Sequence, residues 1–373
     1  MTETNEQGIE GAGHAVNETP PTLQATCWEL QNPGQPLVCV ERTLGPLAPG
    51  EVIVEVIANG LCHTDLGFAD GSVKPKMALP LVLGHEAVGR VILTGSNSAD
   101  WMGRLVIVPA VLPCGCCEFC DSGRGNACPS QQMPGNDIHG AFATHMVVPA
   151  APLVPIDEPP AGFDIRLLSV VADAVSTAYQ AVRRANLSAG DLAVVIGVGG
   201  VGGFLVQIAA ALGARVVAMD VSPERLELLK DYGAEGAIPL KGLTPRDGRG
   251  ALRELTKEWG MSSLRTKIFE CAGVGAAQLQ AYTLLGRGSQ MVQVGFSRDK
   301  SEIRLSNLMA FDATVHGSWG CPPEIYSEVI KLIFAGKVVI EPFIKFEPMS
   351  AVNSVLEDMA HHRLDRRVIL ENP

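Results

Sequence analysis

The sequence predicts an α/β protein in two parts, an irregular mainly β region followed by a doubly wound parallel sheet. Three observations carry this. Between about Ala25 and Val148 the apolar runs are short and broken by Gly and Pro. Between Leu192 and Asp220 a strand, a helix and a second strand follow one another at the spacing of a βαβ unit. Of the 373 residues, 47% are hydrophobic and 18% charged. That is enough apolar material for about two full cores, which excludes a disordered, collagen-like or small disulfide-stapled chain.

Taken in order, residues 1–20 hold Glu3, Glu6, Glu10 and Glu18, no Lys or Arg, and no apolar run suited to a signal segment. Residues 1–22 therefore read as a disordered cytoplasmic tail. Strands are expected at Glu51 to Ala58, Gly89 to Leu93, Arg104 to Val108 and His145 to Val148, and a helix over Asp173 to Ala185. The βαβ unit follows, with strands at Leu192 to Gly197 and Arg215 to Asp220 around a helix at Val201 to Leu212. Lys267 to Cys271, Gln290 to Val294 and Thr314 to Ser318 are continuous and apolar, as buried parallel strands are. Past Pro322, a helix at Glu324 to Phe334 and strands at Phe343 to Phe346 and Arg367 to Leu370 form a tail too short to fold alone. This gives one domain from 23–172 and 321–373 and a second from 173–320.

Leu192 to Ala214 carries no charge and is long enough to span a bilayer. Its six glycines fall instead where a strand turns into a helix and where that helix ends. A net charge of -11 sets the surface against nucleic acid and anionic membrane, so no partner of either kind is expected.

Three constellations carry chemistry. The first is Gly197-Val198-Gly199-Gly200-Val201-Gly202, placed between an expected strand and helix. Its glycines allow a tight turn and close approach to a pyrophosphate, and the helix supplies N–H groups and a positive dipole end. Asp220, closing the next strand, suits ribose hydroxyls and favours NAD over NADP, although Arg225 nearby keeps NADP open. The second is Cys114, Cys117, Cys120 and Cys128, four thiols at the close spacing a tetrahedral structural zinc accepts. Cys116 is an extra thiol able to substitute for a neighbour. The third is dispersed: Cys62 in GLCHTD and His85 in LGHEAVG, two candidate ligands of a catalytic zinc that needs a third protein ligand and one open position.

With these motifs in this order, Ala25 to Leu370 resembles the zinc-dependent medium-chain alcohol dehydrogenases. The resemblance implies a GroES-like catalytic domain around a Rossmann domain, NAD as cofactor and two Zn2+ per subunit, one catalytic and one structural. It implies Cys62 and His85 as catalytic zinc ligands, Thr64 as the hydroxyl relaying the alcohol proton, and Asp65 and Glu86 as their supporting partners. His63 falls where relatives contact the pyrophosphate, and also stands beside Thr64 as a next station for the proton. Relatives are dimers or tetramers paired through the Rossmann sheet edge.

The family's third ligand, usually Cys, falls at Asp173. Zinc with the Cys62 thiolate, the Asp173 carboxylate and neutral His85 sums to zero charge, and the carboxylate leaves a more acidic Lewis centre than a second thiolate would. The other reading makes Asp173 an N-cap of the following helix, with Glu86 completing the shell. PAVLPCG at 109–115, GRGNAC at 123–128, MPGNDIHG at 133–140, the Asp173-Ala174 pair, LSNLMAF at 305–311 and WGCPP at 319–323 resemble a branch of the family that oxidises the ring hydroxyl of a cyclic acyl-CoA. MPGNDIHG and LSNLMAF are candidates to line the ring site, or are plain core and subunit interface. A dehydrogenase for free alcohols keeps every metal and cofactor residue, and the same zinc serves hydride addition to a conjugated cyclic enoyl-CoA equally well.

Overall fold

Glu51–Gly60 organises the N-terminal half because it pairs on both edges. It runs antiparallel to Glu86–Thr94 along nearly its whole length, to His145–Pro149, and at its far end to Arg367–Glu371. Val52, Ile53, Val54, Val56 and Ala58 are all buried, since both faces of this strand are covered. The computed structural model describes residues 22–372. It places Glu51–Gly60 in a seven-stranded sheet with Leu105–Val108, Val154–Pro155 and Ile344–Pro348. The strands after Pro322 thus lie beside the earliest large strand. A separate three-stranded sheet orders Val38–Leu44, Leu23–Leu30 and Leu81–Val82.

The second sheet has six parallel strands: Gly236–Pro239, Arg215–Asp220, Leu192–Ile196, Thr266–Glu270, Gln290–Gln293 and Thr314–Gly317. Numbered along the chain this is the order 3-2-1-4-5-6 of the doubly wound fold. Chain direction reverses between Leu192–Ile196 and Thr266–Glu270, and ligands of such sheets bind off the strand ends at that reversal. The fold class expected from the sequence is the one observed.

One expectation fails. Thr314–Gly317 is not a buried strand: it closes the sheet at its edge, with Thr314, Val315 and Gly317 exposed. An apolar run marks a strand without telling a central position from an edge one. The tail at 1–22 lies, apart from Thr22, outside the described residues. Among the described residues no helix is long and apolar enough to cross a membrane.

A nearly wholly buried helix, Ala174–Arg184, follows the 3-10 stretch Ile165–Ala172 and joins the two sheets. One core runs continuously from Ala58, Val88 and Ile107 of the first sheet through Val171 and Val175 to Phe204 and Phe269 of the second. At the start of this helix the buried Tyr326 hydroxyl, from the helix Tyr326–Phe334, donates to the Ala172 carbonyl at 2.6 Å. The Ala172 carbonyl also accepts from the Ala110 N–H at 3.0 Å, so removing the hydroxyl takes away one of its two hydrogen bonds, at a cost of about 0.5–1.5 kcal/mol. Tyr326→Phe is accordingly expected to lower the unfolding free energy by that amount, read as a lower urea midpoint with an unchanged m-value.

Candidate active site

Gly60 ends the organising strand, and the chain turns at once into the short helix His63–Ala69 with Cys62 at its N-cap. Asp65, three residues on, reaches back to accept from the Cys62 N–H at 3.0 Å. Its other oxygen accepts from the Gly84 N–H at 3.2 Å and from His85 Nδ1 at 3.0 Å. A buried carboxylate on Nδ1 fixes the tautomer, so the lone pair of neutral His85 lies on Nε2. His85 is itself held by a strap: the N–H groups of Gly140, Ala141 and Phe142 bond to Val82, Gly84 and Leu83. A Cβ on Gly140 would overlap the Gly84 carbonyl.

Cys62 Sγ, His85 Nε2 and an Asp173 oxygen converge. Asp173 Oδ2 lies 3.8 Å from Cys62 Sγ and 3.7 Å from His85 Nε2. Zinc bonds of about 2.0–2.3 Å place tetrahedral ligand atoms roughly 3.3–3.8 Å apart. His85 Nε2 is buried without any hydrogen-bond partner, an orphaned lone pair at the centre of the group. Cys62, Asp65, Glu86 and Asp173 set four acidic groups around one permanent cation, Arg367. Burial disfavours a charged His85, yet Asp65 and Asp173 outweigh it and hold this imidazole well above the ordinary histidine range. The shell calls for positive charge, and its N, S and O donors fit zinc.

Asp173 does stand at the N-cap position of Ala174–Arg184, but its side chain makes no capping hydrogen bond. Oδ1 instead accepts from the Thr177 hydroxyl at 2.7 Å, which turns Oδ2 toward Cys62 and His85. Burial raises the Asp173 carboxyl, but His85 and Thr177 prevail and hold it at about 2. Glu86 belongs to the same cluster. Its two oxygens, however, are engaged by Arg367, through Nη2 and through Nε at 3.2 Å. Gly60 makes room for this pair, since a Cβ there would overlap Glu86 Oε2.

Arg367 also reaches the glycine loop, where a Cβ on Gly200 would come within 2.8 Å of its Nη1. Gly197 adopts φ +81°, and Gly202 packs so closely on the Gly197 carbonyl that no side chain fits. Gly199, Gly200 and Val201 lead into the helix Gly202–Ala211, whose start has no side-chain cap. Arg225 lies over Gly199. Asp220 accepts from the Val198 and Ser222 N–H groups at 2.7 and 2.9 Å. Burial depresses the His63 imidazole, and the charges of Arg367, His362 and Arg225 add to that.

The four-cysteine lobe closes on itself. Cys117 Sγ lies 3.6 Å from Cys120 and 3.7 Å from Cys128, and Cys114 lies 3.5 Å from Cys128 and 4.0 Å from Cys120. A zinc–sulfur bond of about 2.3 Å predicts edges of roughly 3.8 Å. Cys116 is exposed and approaches only Cys114 among them, at 3.8 Å.

Residues 48–158 match the alcohol dehydrogenase GroES-like domain, and 200–335 match the zinc-binding dehydrogenase family. An alcohol dehydrogenase of Geobacillus stearothermophilus is 30% identical over 333 residues, covering 87% of this chain and 92% of that one. The chain belongs to the zinc-dependent medium-chain alcohol dehydrogenase family. The solved alcohol dehydrogenase of Thermotoga maritima is 26% identical with a TM-score of 0.83, over 94% of this chain and all of that one. An alcohol dehydrogenase of Escherichia coli CFT073, solved with NADH, is 25% identical with a TM-score of 0.80, over 93% and 99%.

As a zinc alcohol dehydrogenase it is expected to use NAD and zinc, and the two clusters are the described groups of four suited to a metal. Sequence reasoning missed Arg367 and Thr177, which lie in no local motif. Of the segments offered for the ring site, 133–140 buries Met133 in the core and joins the strap at Gly140. Ser306–Phe311 packs Leu308 and Phe311 inward while Leu305 and Met309 are 66% and 79% exposed. Metal analysis separates the two clusters: Cys120→Ser and Asp173→Asn are each expected to bring zinc from about two to about one per chain, with activity lost in the second.

Proposed function

We propose that this dehydrogenase oxidises the ring hydroxyl of 6-hydroxycyclohex-1-ene-1-carbonyl-CoA to the 6-oxo acyl-CoA with NAD. The convergence of Cys62, His85 and Asp173 on one point, with the glycine loop bridged to it by Arg367, carries the hydride-transfer chemistry. The segments at 109–115, 123–128, 133–140, 305–311 and 319–323 support the substrate, by resemblance. In this reading 23–172 and 321–373 form the catalytic domain and 173–320 the cofactor domain.

Cys62, His85 and Asp173 would hold the catalytic zinc, which would supply a Lewis acid for the substrate hydroxyl, and NAD would supply the hydride acceptor. Thr177 engages Asp173 Oδ1, so one carboxylate oxygen remains to serve a metal. Thr64, whose Oγ1 lies 3.7 Å from Cys62 Sγ, relays the hydroxyl proton outward, releasing its own proton toward solvent as it accepts the substrate's. The positive charge of Arg225 and Arg367 near His63 supports a pyrophosphate contact for that histidine more than a proton station. Gly197, Gly199, Gly200, Val201 and Gly202 receive the pyrophosphate and Asp220 the ribose. Cys114, Cys117, Cys120 and Cys128 hold the structural zinc.

The exposed edge Thr314–Gly317, flanked by exposed Leu305, Met309 and Trp319, supports pairing of two copies edge to edge. Light scattering tests this, and a monomer at micromolar concentration overturns it.

NADH formation is expected with the hydroxyl acyl-CoA and not with its free acid, cyclohexanol or simple alcohols. Turnover of the free alcohols alone would leave a zinc alcohol dehydrogenase for a free secondary alcohol. NADH consumption with a conjugated cyclic enoyl-CoA would reverse the assigned direction. In the same assay Thr64→Val should lower kcat by about 100-fold or more with zinc content unchanged.

A further inference from the structure

At the far end of Ala174–Arg184 lies a cleft of about 270 Å3 that plays no part in the site above. Gln180, Arg183, Arg184, Asn186 and His316 line it, and Gly123 of the four-cysteine lobe closes one side. Arg183 and Arg184 make no ion pair within 4 Å among the described residues. The sheet behind them adds Lys267, 8% exposed and likewise without such a pair. Lys267 stands in register with Gln290 and Thr314 across three parallel strands, and His316 lies two residues beyond Thr314 on the same face.

Three permanent cations are thus gathered without a carboxylate in contact, in a chain whose net charge is -11. Their polar neighbours are incomplete as well. Gln180 is 9% exposed, lines the cleft and makes no side-chain hydrogen bond among the described residues. Gln290 Oε1 is buried without a partner. Arginines at a helix C-terminus offset the helix dipole. That accounts for neither the buried lysine nor the histidine, which come from other elements. Burial, with Arg184 and Lys267, depresses the His316 imidazole, so this ring registers the surplus of positive charge.

We propose that this cleft binds a phosphate dianion, free or as a monoester, held by Arg183 and Arg184 with Gln180 and His316 as hydrogen-bonding partners. Paired guanidinium groups match a phosphate's oxygens and carry the charge it needs. The cleft is smaller than the roughly 300–1,000 Å3 of a drug-sized site, which suits a phosphorylated end-group. The phosphate has two sources, free inorganic phosphate or the 3'-phosphorylated nucleotide of a coenzyme A thioester. Only the second rests on the substrate proposed above. The ten residues from Asp173 to Arg183 place the cleft about 15 Å along the helix from the zinc cluster.

The test uses the full-length, zinc-loaded protein with NADH at saturation, so that the dinucleotide site is filled. Inorganic phosphate and adenosine 3',5'-bisphosphate are titrated by calorimetry, and the His316 ring signal is followed by NMR. Binding is expected, with an upward shift of the His316 titration and at least a tenfold loss of affinity in Arg183→Gln/Arg184→Gln. Arg184→Lys, which keeps charge and loses the planar fork, should fall between, and covers the case in which the double variant does not fold. Equal affinity for the two probes assigns free phosphate, and a tenfold preference for the bisphosphate assigns the nucleotide. Retained binding in a protein that turns over no acyl-CoA removes the substrate reading and leaves this site standing. Absence of binding under NADH, or unchanged affinity in both variants, overturns it.

Discussion

The buried pair between Glu86 and Arg367 is the constraint on which the rest of the site depends. Glu86 opens the strand that follows His85, the proposed zinc ligand, and Arg367 opens the strand that pairs with Glu51–Gly60 from the other side. Taking two charges out of water costs several kcal/mol each, and the pair is tolerable only because it is tightly hydrogen-bonded and because Gly60 leaves it space. From that position the guanidinium serves both halves of the molecule. One side neutralises a carboxylate next to the metal ligands, and the other faces Gly200 at the head of the dinucleotide loop. Metal centre and cofactor cradle are thereby held at a set separation by a single planar group.

A second constraint acts on the ligand that departs from the family's usual thiol. An aspartate is shorter in reach and has two oxygens, so it could grip a metal with both. The Thr177 hydroxyl removes that freedom by occupying Oδ1, and Tyr326 steadies the backbone at Ala172 immediately before it. Cys62 and Asp173 are partly exposed, whereas His85 and Glu86 are buried, so the cluster is open to solvent on the side of the thiol and the aspartate.

The parts of this site that were legible in the sequence are those whose geometry is local. The glycine loop and the four cysteines encode their own turns, and every contact that makes them work falls within a few residues. Asp220 was legible because it ends the strand next to that loop. Cys62, His85 and Asp173 lie far apart in the chain, and single residues of these types are ambiguous without the fold that gathers them. There the family resemblance supplied what periodicity could not. Arg367 stayed hidden because its role arises wholly from a pairing made across 281 residues. Thr177 stayed hidden because a threonine four residues into a helix reads as ordinary until the aspartate before it is seen to turn away from its cap. Thr314–Gly317 misled because hydropathy marks a strand without saying whether it lies inside the sheet or at its edge.

The same long-range pairing sets an order of events during synthesis. Cys62, His85 and the four-cysteine lobe leave the ribosome early, but Arg367 follows Glu86 by 281 residues. At about 5–20 residues per second this delay is roughly 15–60 s. Throughout that interval the strand Glu51–Gly60 lacks the neighbour that pairs its far end, and Glu86 has no cation to bury against. The parallel sheet, whose six strands are contiguous in the chain, is complete before then. The nascent chain thus holds a finished cofactor fold beside an unfinished catalytic one, and its metal ligands are exposed to competing metals and oxidants until the closing strand arrives.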